Sequence, residues 1–388
     1  MLTGKGGVGK TSLALATALL AAEHGHRVFV LSTDSAHSLG DALGRPVGPE
    51  PVPIAPNVTA QEVSALAELD RAWSEIQDWL RTLLLDEGHE LWAEELLVFP
   101  GLEELVSLRA IREVEASGDY DLCIVDCAPT GSTLRLLRLP DVLRLFMDHF
   151  WEWMRRTADG LRPVAEGLGL GKFVAPDAVF EAFERLYEEV EAVRQILLDE
   201  ERTRARLVLN PARVVVDETR RSFAYLSLYG VGTDAVLVNR VLPAEASGGY
   251  FARWAARERE ELDDIERSFP VPLFQVPLLP HEPIGPKALR DLGRALYGER
   301  DPGERFVEGR PLRLEKRGDQ RVLRLELPTA KHEEVDVEVR GDELWIGVRD
   351  FERRIALPSS LTGLPVESAR LADGVLEVRF EADAAEDE

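Results

Sequence analysis

The sequence predicts an α/β fold with a mostly parallel sheet, followed by a smaller all-β sandwich. Apolar runs typical of buried parallel strands recur through residues 1–298, and helical patterns separate them. After residue 310 the sequence instead alternates apolar and polar residues with a period of two. A short stretch rich in glycine, proline and charge, residues 299–309, lies between the two patterns and is predicted to be a linker.

Composition narrows the possible functions. The 388 residues carry a net charge of −24, which argues against binding nucleic acid through its phosphates. No apolar run reaches the length of a membrane span and no secretory signal is visible, so we expect a cytoplasmic protein without stable membrane insertion. The two cysteines, Cys123 and Cys127, are too few for a four-ligand zinc site and are expected to be buried thiols.

A phosphate-binding loop lies close to the N-terminus. Residues 4–12 read G-K-G-G-V-G-K-T-S, which fits G-x-x-x-x-G-K-[ST], and an apolar helical run follows. The motif predicts that Lys10 reaches the β- and γ-phosphates and that the Thr11 hydroxyl holds Mg²⁺. The glycines allow successive backbone N–H groups to converge on phosphate oxygens. The predicted phosphate-binding residues are Gly4, Gly6, Gly7, Val8, Gly9, Lys10, Thr11 and Ser12.

Only three residues precede Gly4, fewer than an ordinary strand contains. Either the first strand is truncated or translation starts upstream of Met1, and the second reading is favoured.

Lys5 is a second lysine within this loop, ahead of the usual one. The pattern resembles the deviant P-loop of the MinD/ParA, nitrogenase-iron-protein and ArsA-type ATPases. That resemblance implies that Lys5 crosses a dimer interface to the partner's nucleotide, so that a homodimer bridged by nucleotide is the active form. A cation delivered in this way would neutralise charge during phosphoryl transfer, as an arginine finger does.

Two further strands end in carboxylates. The strand at residues 28–31 leads to Asp34, at the edge where open α/β sheets bind ligands. From spacing alone, Asp34 either orients the attacking water or caps the next helix. A second apolar strand ends in Asp126, at the position that contacts Mg²⁺ in P-loop proteins. Gly131 follows it and can bring a backbone N–H close to a γ-phosphate.

The three segments together resemble the ArsA family of ATPases, which includes the arsenite-pump ATPase and the guided-entry ATPase that targets tail-anchored proteins. The resembling segments are residues 5–11, 32–41 and 126–135. The resemblance covers roughly residues 2–298 and implies a P-loop NTPase fold that hydrolyses ATP with Mg²⁺. It assigns water activation to Asp34, Mg²⁺ binding to Asp126 and the trans contact to Lys5, beside a catalytic Lys10.

Two departures from the family pattern are Ser35 for a usual proline and Ser132 for a frequent histidine. Neither removes a phosphate-binding or metal-binding group. Family likeness also implies that Asn239, at the end of an apolar strand, hydrogen-bonds adenine and that Pro280 lies in a loop closing on the base. A strand-end asparagine in an ordinary turn is the alternative for Asn239.

Long helical patterns occupy approximately residues 62–118 and 141–205, and they predict a helical subdomain. In the targeting ATPases this region holds an apolar transmembrane helix, so a membrane-protein or apolar-helix client is expected here. Burial of the same side chains in an ordinary core is the alternative, and the sequence leaves both open. The candidate groove residues are Leu143, Phe146, Met147, Phe150, Trp151 and Met154.

Missing cysteines bear on the alternatives within this family. Residues 244–254 contain no C-x-x-C, so no zinc clamp between protomers is expected. The alternative function is the ATPase subunit of an arsenite or antimonite efflux pump. A helical region without cysteine and a single P-loop disfavour it.

A MinD-like membrane regulator would need a terminal amphipathic helix, and the sequence ends in an acidic stretch instead.

The C-terminal residues 310–382 are predicted to form an antiparallel sandwich. Their strand pattern, with turn signals at residues 341–342 and 373–374, resembles an α-crystallin (small heat-shock) domain. Any other β-sandwich is the alternative, and chaperone activity does not follow from the fold. The expected organisation is an ATPase domain at 1–298, a linker at 299–309 and this sandwich.

Overall fold

The computed structural model describes residues 1–33, 38–63, 102–127, 177–246, 248–309, 311–317, 320–341, 343–357, 361 and 363–381. Within them, a large sheet has the strand order β3-β4-β2-β5-β1-β6-β7-β8. Its strands are β1 (Leu2–Thr3), β2 (Val28–Ser32), β3 (Val52–Ala55), β4 (Val58–Glu62), β5 (Leu122–Asp126), β6 (Ala205–Leu209), β7 (Thr233–Val241) and β8 (Leu273–Pro277). All neighbours are parallel except β3 and β4, which confirms the mostly parallel sheet.

Helices connect these strands. They are α1 (Lys10–Glu23), α2 (Ser38–Leu43), α3 (Leu102–Ser117), α4 (Asp177–Leu198), α5 (Arg213–Tyr229), α6 (Ala252–Ser268) and α7 (Gly285–Tyr297). Small residues allow α1 to pack closely: a Cβ added to Gly293 of α7 would lie 2.6 Å from the carbonyl oxygen of Ala16. The result is a helix buried from Leu13 to Ala21. Among the described residues, no helix is long and apolar enough to cross a membrane.

The strands β3 and β4 were not expected from the sequence. They form an antiparallel edge hairpin, with the turn residue Asn57 in the left-handed region at φ 60°. β4 ends at Glu62, where the helical pattern was expected to begin. Glu62 is 3% exposed, and its carboxylate accepts a hydrogen bond of 2.8 Å from the backbone N–H of Leu39. The hairpin therefore carries the buried acceptor that holds the start of α2.

A second, antiparallel unit follows and confirms the predicted sandwich. Its strands are β9 (Leu312–Arg317), β10 (Gln320–Glu326), β11 (Val335–Arg340), β12 (Glu343–Val348), β13 (Phe351–Ala356), β14 (Val366–Ala372) and β15 (Val375–Phe380). They form two sheets, in the orders β14-β15-β10-β9 and β11-β12-β13. Alternate side chains turn inward from both sheets, as the period of two predicts. Fully buried residues between them include Leu325, Leu344, Ile346, Val378 and Phe380.

The sandwich packs on α5. The Phe351 ring lies 4.1 Å from the Tyr225 ring, centroid to centroid. The Thr329 hydroxyl donates a 2.7 Å hydrogen bond to the carbonyl oxygen of Arg220, and the Arg353 guanidinium donates to the carbonyl oxygen of Leu228. One helix of the first unit, α5, therefore packs against both strands and loops of the second unit.

The stretch predicted as a linker is hydrogen-bonded to the parallel sheet. Arg206 of β6 and Asp234 of β7 form a buried ion pair of 2.9 Å at the amino end of the sheet. The Arg206 guanidinium also donates to the carbonyl oxygens of Pro302 (2.8 Å) and Glu304 (3.0 Å). Asp234 accepts the backbone N–H of Phe306 at 2.7 Å. These bonds fix the path of residues 302–306.

Candidate nucleotide-binding site

Glycines of the phosphate loop occupy places that other residues cannot. A Cβ on Gly4 would lie 2.1 Å from the carbonyl oxygen of Val208 in β6, so the chain passes close to that strand. Gly9 has φ +94°, and its added Cβ would lie 2.3 Å from the Asn239 side chain. Gly7 has φ +79°. The sequence motif is therefore required by the backbone, because L side chains rarely adopt these angles or fit these gaps.

The loop leads into α1 with Gly9 as N-cap and without a capping side chain. The first N–H groups of a helix have no partner within the helix, and its dipole favours an anion there. Gly6 and Gly7 are exposed, whereas Val8 is buried. Thr11 and Ser12 lie in the first turn of α1. The backbone of residues 4–12 thus has the form of an anion cradle.

Lys10 is buried at this cradle, with 6% exposure. Its ammonium lies 3.4 Å from the carbonyl oxygen of Lys5, at the long limit of a hydrogen bond. A buried cation is costly unless it is paired, so this ammonium is well suited to an anionic ligand.

Oxygen atoms suited to a divalent cation lie at the same edge. Asp126 is fully buried at the carboxyl end of β5 and pairs in register with Leu2 of β1, just before the loop. The Thr11 and Ser38 hydroxyl oxygens are 2.9 Å apart. Carboxylate and hydroxyl oxygens are the ligands that Mg²⁺ prefers, so the residues present fit the metal predicted for Thr11 and Asp126.

The end of β7 supports the loop through two adjacent side chains. Asn239, which is 8% exposed, donates a 2.8 Å hydrogen bond from Nδ2 to the carbonyl oxygen of Val8. Arg240 donates from Nη1 to the carbonyl oxygen of Gly7 at 3.1 Å and adopts φ 60°. A left-handed arginine is unusual and marks a position that its surroundings impose. Sequence reasoning missed Arg240, although it directly follows the strand-end asparagine.

The adenine contact expected of Asn239 stays a prediction, as does that of Pro280, which is exposed beyond β8. Asn239 lies in β7, and Pro280 follows β8, the next strand in the sheet.

Lys5 forms an ion pair with a residue outside the loop. Its Nζ lies 2.8 Å from Oε2 of Glu218, in α5, and the two side chains are 38% and 31% exposed. Glu218 was not singled out in the sequence, because nothing in a helical pattern shows which carboxylate will face a loop more than two hundred residues away.

Several predicted site residues lie outside the described residues. They are Asp34, Gly131 and the groove residues Leu143, Phe146, Met147, Phe150, Trp151 and Met154. Their assigned roles stay predictions.

A buried lysine on a glycine loop, at the carboxyl edge of a parallel sheet, defines the class of P-loop nucleotide-binding proteins. The family of anion-transporting ATPases, ArsA, matches residues 1–298, and an HSP20-like domain found in ArsA matches residues 318–380. The chain belongs to the ArsA ATPase family.

Similar proteins span almost the whole chain. A putative arsenical pump-driving ATPase of Prosthecochloris vibrioformis is 36% identical over 98% of this chain and 95% of its own length. The putative arsenical pump-driving ATPase 1 of Aquifex aeolicus is 32% identical over 96% of both chains. The ATPase GET3B of Arabidopsis thaliana is 30% identical over 76% of this chain and 78% of its own length.

Proposed function

We propose that this chain is an ATP-hydrolysing switch that works as a nucleotide-bridged homodimer. The proposal rests chiefly on the loop that carries both Lys10, which is buried, and Lys5, which is partly exposed and pairs with Glu218 of α5. Lys10 suits phosphates bound to its own protomer, and Lys5 takes its trans role in this proposal from the resemblance to the ArsA-type loop. Membership of the ArsA ATPase family supports the hydrolytic activity.

Each group has a part in the proposed reaction, in which water attacks the γ-phosphorus of ATP and ADP leaves. Lys10 and the loop N–H groups bind and orient the phosphates. Asp34 orients the attacking water, and Lys5 of the opposite protomer neutralises charge that develops on the leaving oxygens. Mg²⁺, held by Thr11 and Asp126, would supply charge neutralisation at the phosphates.

A client in the form of an apolar helix or membrane protein is the second part of the proposal. Support comes from the dense apolar stretch around Met147 and Trp151 and from the relative named ATPase GET3B. We place the protein in the cytoplasm, with neither nucleic acid nor zinc as a partner.

The pump ATPase is the second candidate, because two of the relatives described above are named arsenical pump-driving ATPases. Metalloid ions bind thiolates, and desolvation raises the pKa of Cys123 to about 12, so this thiol stays protonated at neutral pH. Cys127 is 3% exposed. Both observations count against binding of a metalloid ion by these thiols. Stimulation of ATP turnover by arsenite would favour this candidate over the first.

The switch is tested by static light scattering of the full chain with Mg²⁺ and the non-hydrolysable analogue AMP-PNP. We expect a monomer without nucleotide and a dimer with it. Lys5→Ala should abolish both the dimer and ATP turnover while leaving the affinity for AMP-PNP nearly unchanged. The exposed Lys316 of the sandwich offers a matched control, since Lys316→Ala removes the same charge far from the loop. A wild-type protein that stays monomeric would refute the switch.

The client is tested with a fluorescent apolar peptide of about 20 residues, the length of a membrane span. Anisotropy should show binding that depends on nucleotide. Met147→Glu should weaken it without changing the affinity for AMP-PNP. Equal binding to both proteins would argue that Met147 belongs to an ordinary core or surface.

A further inference from the structure

The ion pair between Lys5 and Glu218 gives this chain a contact that competes with the proposed trans role of Lys5. Its 2.8 Å separation joins the phosphate loop to α5 within one protomer. Lys5 lies between Gly4 and Gly6, and Gly4 is fixed closely against β6. The lysine backbone is therefore constrained, and the direction of its side chain depends on what its ammonium can pair with.

Glu218 is presented by a helix that is anchored on both sides. Arg220, half a turn further on, donates hydrogen bonds to two residues of α6, Ser268 at 2.7 Å and Asp264. The later turns of α5 support the sandwich through Tyr225. Because α5 is held in this way, the Glu218 carboxylate keeps a fixed place opposite the loop.

Lys5 cannot serve Glu218 of its own protomer and the nucleotide of another at the same time. Each ammonium that crosses the interface must first leave its carboxylate. Partly exposed ion pairs are weak, so their rupture shifts such an equilibrium by about two- to fivefold. This size suits a restraint that nucleotide can overcome.

We propose that Glu218 is a positioning residue that holds Lys5 back in the nucleotide-free protomer and so restrains dimer formation. This rests on the proposed function, in which Lys5 acts in trans. Glu218 touches neither substrate nor metal in this account and acts only through Lys5. Its carboxylate sets how much nucleotide is needed before two protomers associate.

The test titrates full-length protein with Mg²⁺ and AMP-PNP and follows dimer formation by light scattering. Glu218→Gln should lower the midpoint concentration of AMP-PNP by about two- to fivefold. Glu218→Asp keeps the charge and should return the midpoint towards the wild-type value. Asp217→Asn is the matched control: it removes one charge from the same turn, where Asp217 pairs with Arg220. Its midpoint should equal that of the wild type.

Outcomes separate this inference from the proposed function. If the wild type dimerises, Lys5→Ala does not, and Glu218→Gln matches the wild type or needs more nucleotide, then the restraint is refuted alone. If the wild type itself fails to dimerise, the switch is refuted and the restraint with it. A lowered midpoint for both Glu218→Gln and Asp217→Asn would show an effect of net charge, which also refutes a specific restraint. Circular dichroism confirms that each variant is folded.

Discussion

Buried charges at the two ends of the parallel sheet differ in how they are paired. At the amino end, Arg206 and Asp234 pair with each other and with backbone groups of residues 302–306. At the carboxyl end, Lys10 is as well buried as Arg206, yet its ammonium makes a contact of 3.4 Å to a neutral carbonyl oxygen. Lys5 pairs with Glu218 while partly exposed to water. The same fold therefore holds one set of charges firmly and the other loosely.

This difference separates structure from function. A buried charge with several short bonds has no capacity left for a ligand, and breaking it costs folding energy. A buried charge with a long, neutral contact gains most when an anion arrives. Mutations at the two ends should consequently affect different measurements.

The largest effect is expected from Arg206→Met. Removing the guanidinium leaves Asp234, which is 1% exposed, without its countercharge, and should lower the free energy of unfolding by about 3–5 kcal/mol. Urea denaturation measures this loss. The affinity of the folded variant for AMP-PNP should stay at the wild-type value, and a parallel loss of affinity would argue against the separation of the two ends.

Lys10→Ala should weaken nucleotide binding and leave the stability of the fold unchanged or higher. Loss of the ammonium should weaken binding of Mg²⁺ and ATP by at least about 100-fold, measured by titration calorimetry. The nucleotide-free variant should unfold at the wild-type urea concentration or above it, because a poorly paired buried cation is removed. Lys316→Ala is the control. Destabilisation as large as that of Arg206→Met would show that Lys10 is structural.

Asn239→Ala sharpens the comparison at the carboxyl end. Losing its bond to the Val8 carbonyl oxygen should loosen the phosphate loop and weaken ATP binding by about fivefold to tenfold. Tripolyphosphate, which has no base, should lose the same factor in a competition assay. A loss confined to ATP would instead support the adenine contact.

The smallest effect is expected at Arg27 and Asp121, which precede β2 and β5 at the amino end. Hydrogen bonds from the Arg27 side chain and backbone lower the pKa of Asp121 from 3.8 to about 2. A lowered folded-state pKa contributes stability above the unfolded value of 3.8, and this contribution is lost as the pH falls through about 2. The difference in unfolding free energy between wild type and Asp121→Asn should shrink as the pH falls from 3.8 to about 2. A constant difference in urea midpoints would contradict the assignment.

Local patterns in the sequence predicted much of the architecture. The run around residues 122–126 and the alternation after residue 320 each reflect burial on a strand, and both are strands in the structure. The phosphate loop was recognisable because the local backbone geometry requires glycine at several of its positions. The β3 and β4 hairpin was missed, because both strands are short and β4, with Thr59, Gln61 and Glu62, contains no apolar run.

Long-range pairs were beyond the sequence. Glu218 follows an ordinary helical pattern, and only the packing of α5 brings it to Lys5. Arg206 and Asp234 are 28 residues apart and meet because β6 and β7 are parallel neighbours. Asp234 lies at a register shift, between the pair Ala205 and Thr233 and the pair Arg206 and Ala235. The residues 299–309 read as a linker for the same reason: composition shows glycine, proline and charge, but not the partners that hold them.

The hydrogen bonds from Arg206 and Asp234 to residues 302–306 determine where this chain can be truncated. The match to the ATPase family ends at residue 298, a natural place to truncate for work on the catalytic half. Asp234 would there lose the N–H group of Phe306, and Arg206 the carbonyl oxygens of Pro302 and Glu304. A fragment ending after residue 309 retains all of these partners. The end of the match to the ATPase family and the end of the segment that is hydrogen-bonded to the parallel sheet are therefore different positions in this chain.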